Sequence, residues 1–389
     1  MSYAITLHVK GFTGVEKYTF ITMAASLVTS GLLLPFAGEA SDRTGRPKRY
    51  LIFLTLLTCT CCVAISAAGT AWLILALFFV ANFSYNFSLT FYDSLLPTLA
   101  PREKLGAVSG MGVGLGYAGT AFAIPIGFLV VARYGGADAQ QQLRPVFAAA
   151  GGLFFLFSLP LILFVPEKRA TKRTPPGVSI PRLAYKRVMV TLRALPRHRP
   201  VMLFLLGNFL CVDALNTGII AYAPYLVNVF GLDARQTLLW MLPFSLAAGV
   251  LAVAGGLLSD RFGPRRTMIS AGICVLAALL IAGVARSFPV FIASFVLLGG
   301  YGLSTIWVAG RKLLIELVPE GQIGKYFGLY NVGHKLSIVG AVAFGLVADL
   351  NLRGIEAGGY RLGLLLQTVL LSMGLVCIYK VRSPDGSGR

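Results

Sequence analysis

From Tyr18 to Ala37 the chain is almost continuously apolar; six charges then crowd into GEASDRTGRPKR (38–49), and the apolar pattern resumes at Tyr50. This alternation persists throughout. Apolar stretches cover about 18–40, 50–69, 72–97, 105–132 and 146–165, then 201–227, 236–258, 267–285, 288–314, 326–349 and 361–380. Each approaches or exceeds the roughly 20 residues a helix needs to cross a bilayer, so the pattern predicts eleven transmembrane helices. Barrel strands would be about half as long and would alternate in polarity. Pro125, Pro160, Pro224 and Pro243 fall inside these stretches, which membrane helices tolerate.

Composition sharpens the reading. Hydrophobic residues make up 56% of the 389 and charged ones 13%, with a mean hydropathy of +0.77, more apolar than a soluble core requires. The formal charge of +19 would suit a nucleic-acid binder, but its placement argues otherwise. Of the 34 Lys and Arg, 26 fall in alternate connections: 43–49, 102–104, 168–199, 261–266, 311–335 and the tail. That is the positive-inside pattern, which puts this group in the cytoplasm. The expected surroundings are a lipid bilayer, with no nucleic-acid partner: the inner cell membrane in a bacterium, a vacuolar or other internal membrane in a eukaryote. The six cysteines lie in apolar stretches without metal-ligand spacing and read as packing residues. The first twenty residues lack the features of a cleavable signal peptide.

The halves of the chain repeat each other. Asp42 and Asp260 share an offset that also maps LLPTLAPREKLGAVSG (95–110) onto LLIELVPEGQIGKYFG (313–328) without a gap. Two halves of equal topology joined by a basic linker are the parallel repeats of a secondary transporter, with the substrate site between them near the midplane.

At this point the chain resembles the major facilitator superfamily, whose loops read G-x-x-x-D-R-x-G-R-[RK]. The first copy fits through Gly38, Asp42, Arg43, Gly45 and Arg46, after which Pro47 intrudes; the second has Gly256, Asp260, Arg261 and Gly263, then Pro264. VDALNTGII (212–220) and GKYFGLYNVGHKLSIVGAVAFG (324–345) are similar to the autophagy-related vacuolar amino-acid efflux permeases and their bacterial relatives. The resemblance implies an all-α membrane protein of two six-helix halves in parallel repeat. Residues 1–165 would hold a stub of the family's first helix and helices 2–6, 166–199 a cytoplasmic linker, 200–381 helices 7–12, and 382–389 a cytoplasmic tail. Mapping the second half onto the first leaves eleven full spans, the first helix being missing or truncated.

The resemblance also implies that the loop of one half lies near helices of the other. A helix N-terminus stabilises a docked carboxylate, so Asp42 is expected to cap the helix starting near Gly324, and Asp260 the one near Gly106. With Arg46 in the same motif, Arg43 is expected to pair with Asp93 and Arg261 with Glu316, closing a cytoplasmic gate. A solvated turn that only sets topology is the alternative.

Polar residues at mid-depth mark the transport path, because charge in hydrocarbon is costly. Asp213 lies fourteen residues beyond Arg199, with Asn216 and Thr217 on its face. Lys335 stands well inside its span, with Asn331 one turn earlier and His334 beside it. Asp213 and Lys335 are expected to face one interior, either exchanging protons and solute or forming a permanent structural pair; His334 alone reads rather as a packing residue. In the first half Asn82, Asn86 and Asp93 share a stripe. They would line a cavity opposite Tyr301, Ser304 and Trp307, or join helices by hydrogen bonds. The linker segment 182–195 puts Val188, Leu192 and Leu195 on one face among basic residues, as a helix on the inner leaflet would or a solvated tether.

GMGVGLGYAG (110–119) matches a dinucleotide motif by spacing alone, within a span and without a preceding strand. Neither a P-loop nor a metal-binding spacing occurs. The expectation is a non-enzymatic, monomeric carrier without cofactor or metal. It would move a small polar solute, an amino acid by resemblance, in efflux linked to protons; a transport-inactive paralogue or sensor remains the alternative.

Overall fold

In a computed structural model, residues 17–133, 139–167, 180–319, 321–337, 339–348 and 358–381 are described. They form α1 (Lys17–Thr44), α2 (Pro47–Ala67), α3 (Ala71–Leu99), α4 (Leu105–Arg133), α5 (Ala139–Phe164) and α6 (Ile180–Ala194). These are followed by α7 (Arg199–Phe230), α8 (Ala234–Phe262), α9 (Pro264–Val284), α10 (Phe288–Leu317), α11 (Ile323–Leu336), α12 (Val339–Ala348) and α13 (Gly358–Tyr379). No strand occurs among the described residues. Counting α11 and α12 as one span and leaving out α6, eleven helices among the described residues are long and apolar enough to cross a membrane. A helix is one of the few forms that satisfies its own backbone in lipid, and outward side chains such as Leu32, Phe53, Leu115 and Leu346 are apolar. The stub expected in residues 1–16 and the tail 382–389 lie outside the described residues.

Helix ends depart from the hydropathy boundaries in an informative way. α1 continues through Glu39, Asp42 and Arg43, so the first motif is the last turn of a helix rather than a loop. Its turn is only Gly45–Arg46, with Gly45 at φ 62°; the second is Gly263 alone, at φ 85°. That left-handed region favours glycine. Pro47 and Pro264 open the helices that follow, where a missing N–H costs nothing. Apolarity marks the bilayer, whereas the helix continues until its backbone is interrupted.

Residues group into two compact units. Unit 1 takes the described residues up to Thr98, then Phe122–Met189, and the stretch of α11 up to Val332. Ile65, Ile74, Phe78 and Phe147 form an apolar cluster in it, and Gly151 of α5 approaches Cys59 and Cys62 of α2. Unit 2 takes Leu99–Ala121, Val190–Pro319 and the chain from Gly333. Here α7 and α13 meet at Gly207 and Gly374, the small-residue contact through which membrane helices pack. α10 contains a π-turn, Phe295–Gly299, beside a cavity of about 50 Å³ walled by Tyr222, Phe244 and Phe295.

The linker helix α6 buries one end of its apolar face against the rest of unit 1. Ala184 and Val188 are buried, Leu192 is exposed, and Tyr185 stacks on Phe36 of α1 at 5.9 Å. Val188 is covered by protein, while Leu192 on the same face stays exposed.

Candidate functional site

Two carboxylates each close on the first turn of a helix distant in sequence. In unit 1 Asp42, on the last turn of α1, accepts from the backbone N–H groups of Gly324 and Lys325, both at 2.9 Å. In unit 2 Asp260, on the last turn of α8, accepts from Gly106 at 2.7 Å and Ala107 at 2.8 Å. These donors have no partner within their own helix, and the partial positive charge at a helix start favours an anion. Glycine makes the approach possible: a Cβ on Gly38 would overlap the Gly324 carbonyl, and one on Gly106 the Gly256 carbonyl.

The ion partners differ between the clamps. Around Asp42 a second acid, Glu39, is 4% exposed. It accepts from Arg43 Nε at 3.1 Å, with Arg187 of α6 at 3.9 Å and Lys325 at 4.0 Å. Asp260 instead binds Lys312 Nζ of α10 at 2.8 Å, and Lys312 also reaches the Ser259 carbonyl at 3.3 Å and Glu316 at 4.0 Å.

These contacts correct the expected ion pairs. Arg43 turns to Glu39 one turn back on its own helix, and Asp93 accepts from Asn331 at 3.1 Å, with Thr90 beside it at 3.3 Å. Arg261 is exposed and lies over the Phe262 ring, leaving Glu316 beside Lys312. The physical reason is the helical backbone: a side chain fixed on a turn cannot swing as it would from a loop. Arg46 is exposed at the N-cap of α2. Glu39, Lys312 and Lys325 were not anticipated, although Glu39–Arg43 and Lys312–Glu316 carry a legible i, i+4 spacing.

Mid-depth polar groups of unit 2 gather where α11 gives way to α12. Asp213 is 2% exposed and its Oδ2 accepts from the Gly340 N–H at 2.8 Å. Gly340 is the second residue of α12, so Asp213 repeats inside a span what Asp42 does at the start of α11 and Asp260 at the start of α4. Thr217 donates to the Asp213 carbonyl, Asn216 donates to Ser337 at 2.9 Å, and Asn208 meets His334 at 3.3 Å. Gln367 of α13, not anticipated, donates to the Gly340 carbonyl at 3.1 Å. Half-buried Lys335 lies in the last turn of α11. Asn331 lies one turn before Lys335 on α11, as expected, and its amide donates to Asp93.

The remaining predicted residues bond within their own units. Asn82 donates to Ser26 of α1, and Asn86 to the Asn82 carbonyl at 2.7 Å, which is the helix-joining alternative. Ser304 turns onto the Gly300 carbonyl at 2.8 Å, Tyr301 meets Ser270 at 3.1 Å, and half-buried Trp307 keeps its indole N–H buried. Among the described residues no group of three His, Cys, Asp or Glu could hold a metal ion.

Comparison with known proteins gives a concordant result. The model of the Major Facilitator Superfamily matches residues 3–341 and 216–389. The chain is 26% identical over 353 residues to the uncharacterized MFS-type transporter YxiO of Bacillus subtilis (strain 168), covering 86% of this chain and 78% of that one. It is 28% identical over 250 residues to autophagy-related protein 22 of Pichia angusta, covering 53% and 43%. Among solved structures, the transporter FucP in its outward conformation superposes with a TM-score of 0.74 at 15% identity, covering 98% of this chain and 94% of that one.

Proposed function

We propose, since the chain belongs to the Major Facilitator Superfamily of membrane transporters, that it is a secondary carrier exporting a small polar solute, coupled to protons through Asp213. The observation that carries this reading is a buried carboxylate inside a span, held by a backbone N–H at the start of a half-helix. Intramembrane acids are costly and mark ion pathways, and carriers of this type place their substrate and coupling-ion sites at interrupted helices near the midplane. Resemblance to the autophagy-related permeases supports an amino acid as the solute.

The two clamps suit a gate. With Asp42 and Asp260 docked, the cytoplasmic ends of α1 and α11, and of α8 and α4, are held together; undocking them would admit solute from that side. Asp213 would then exchange its proton once per cycle, with Lys335 and His334 tuning the same region. Every step is binding, proton exchange and rearrangement.

Purified protein in proteoliposomes, tested against an amino-acid panel with and without a pH gradient, decides the matter. Uptake driven by the gradient is expected for wild type, none for Asp213→Asn, and strongly impaired uptake for Lys335→Met. The double variant is expected to regain stability without coupled flux if the two side chains act as an ion pair, since removing both members of such a pair costs less than removing one. Wild-type flux in Asp213→Asn refutes the assignment, and restored flux in the double variant reduces the pair to a structural one.

A further inference from the structure

We infer that Gln367 is the partner that receives Asp213 when it is protonated, so that a proton moves Asp213 off the start of α12. The inference rests on the reading of Asp213 as the coupling residue.

Both backbone groups of Gly340 are held by side chains, its N–H by Asp213 of α7 and its carbonyl by Gln367 of α13. A Cβ at Gly340 would stand 2.7 Å from Gln367 Oε1, 2.7 Å from Thr217 Oγ1 and closer still to Asp213 Oδ2, so these oxygens converge on one point. Gln367 is fully buried, and its Oε1 is without a hydrogen-bond partner while Nε2 is committed to Gly340. A buried acceptor left unsatisfied is unfavourable, and an ionised carboxylate offers it no donor. A protonated carboxyl does, because it carries one O–H.

The switch follows from this inventory. Ionised Asp213 accepts from Gly340 and steadies the first turn of α12. On taking up a proton it loses its attraction for the helix start and donates its new O–H to Gln367 Oε1, releasing the Gly340 N–H. No covalent bond besides O–H forms or breaks. Other charged groups and histidines on the surrounding elements are Lys325, His334 and Lys335 on α11, Arg311, Lys312 and Glu316 on α10, Arg361 on α13, Arg235, Asp260 and Arg261 on α8, and Arg199 on α7 itself; the described residues of α12 carry none.

Amide hydrogen exchange in the peptide spanning 336–345, corrected for intrinsic rates and measured from about pH 5 to about pH 9, reads the release directly and without a solute. Wild type is expected to protect Gly340 at the alkaline end and lose protection on acidification; Asp213→Asn is expected to abolish the pH dependence. Gln367→Leu deprives the protonated form of its acceptor, so the loss moves to more acidic pH by about half a unit or more. Gln367→Glu supplies a second carboxylate to share the proton, so the loss moves the opposite way. A purely structural Gln367 predicts both variants loosening the peptide equally at every pH, and that outcome overturns the inference. So does a pH dependence that survives Asp213→Asn and disappears in His334→Gln. Failure of wild type to carry any solute while the exchange pattern holds refutes the transport reading alone; uptake abolished by Asp213→Asn without any pH response at Gly340 refutes this inference alone.

Discussion

Replacing Asp260 by Asn removes more than a charge from its clamp. The carboxylate accepts two backbone N–H groups and the ammonium of Lys312, and an amide has a single oxygen for all three. One charge-assisted bond is lost, about 1.5–3 kcal/mol, and Lys312, 5% exposed at its side chain, loses its nearest anion. Breaking a buried pair from one side costs about 3–5 kcal/mol, reduced here because Glu316 stays at 4.0 Å; a total of about 4 kcal/mol is expected. Asp42→Asn loses one comparable bond, but its cations keep Glu39, so about 2 kcal/mol is expected. The difference corresponds to roughly 30-fold in an opening equilibrium. Cysteine reporters at buried Ser109 and Ser41, in a background with Cys274 and Cys377 replaced, measure opening at each clamp by their modification rate. The Asp260→Asn reporter is expected to accelerate far more than the Asp42→Asn one, and adding Lys312→Met to Asp260→Asn is expected to slow it again. Equal acceleration at both clamps, or a worse result with Lys312→Met, would refute the reasoning.

The ion pairs around Glu39 are expected to differ sharply in worth. Arg187 is half exposed and 3.9 Å away, so Arg187→Ala changes stability by about 1 kcal/mol or less; Lys325→Met strips a buried cation from Glu39 and lowers the unfolding midpoint clearly more, as fluorescence-detected thermal melts will show. Gly106→Val places a side chain where the Asp260 carboxylate and the Gly256 carbonyl stand; the Ser109 reporter is expected to become accessible while membrane insertion is retained, and an unchanged reporter would remove the need for glycine there.

Much of this was legible in the chain. A bilayer demands long apolar helices, so hydropathy located every described span; the internal repeat matched Asp42 to Asp260 and Gly106 to Gly324, and the family resemblance then implied that each carboxylate docks on the opposite half's glycine. Ion partners were not legible, because they depend on the rotation of each helix about its axis. The Arg43–Asp93 expectation failed by treating the last turn of α1 as a flexible loop. Lys325 and Lys312 map by the repeat offset onto Ala107 and Ser94, so the repeat itself hid the cations that distinguish the two clamps. Gln367 carried a signal, a lone amide in an apolar run, but only the fold brings it to Gly340.

The reach of the two clamps along the chain also sets an order of assembly. Asp260 meets Gly106 across 154 residues, whereas Asp42 meets Gly324 across 282. At 5–20 residues per second, Asp42 emerges from the ribosome roughly 15–60 s before its partner exists. During that interval Glu39 waits without Lys325, in a unit whose final element has yet to be made. The clamp completed at Asp260 can therefore shut before the one completed at Gly324, and synthesis of α11 is the event that completes unit 1.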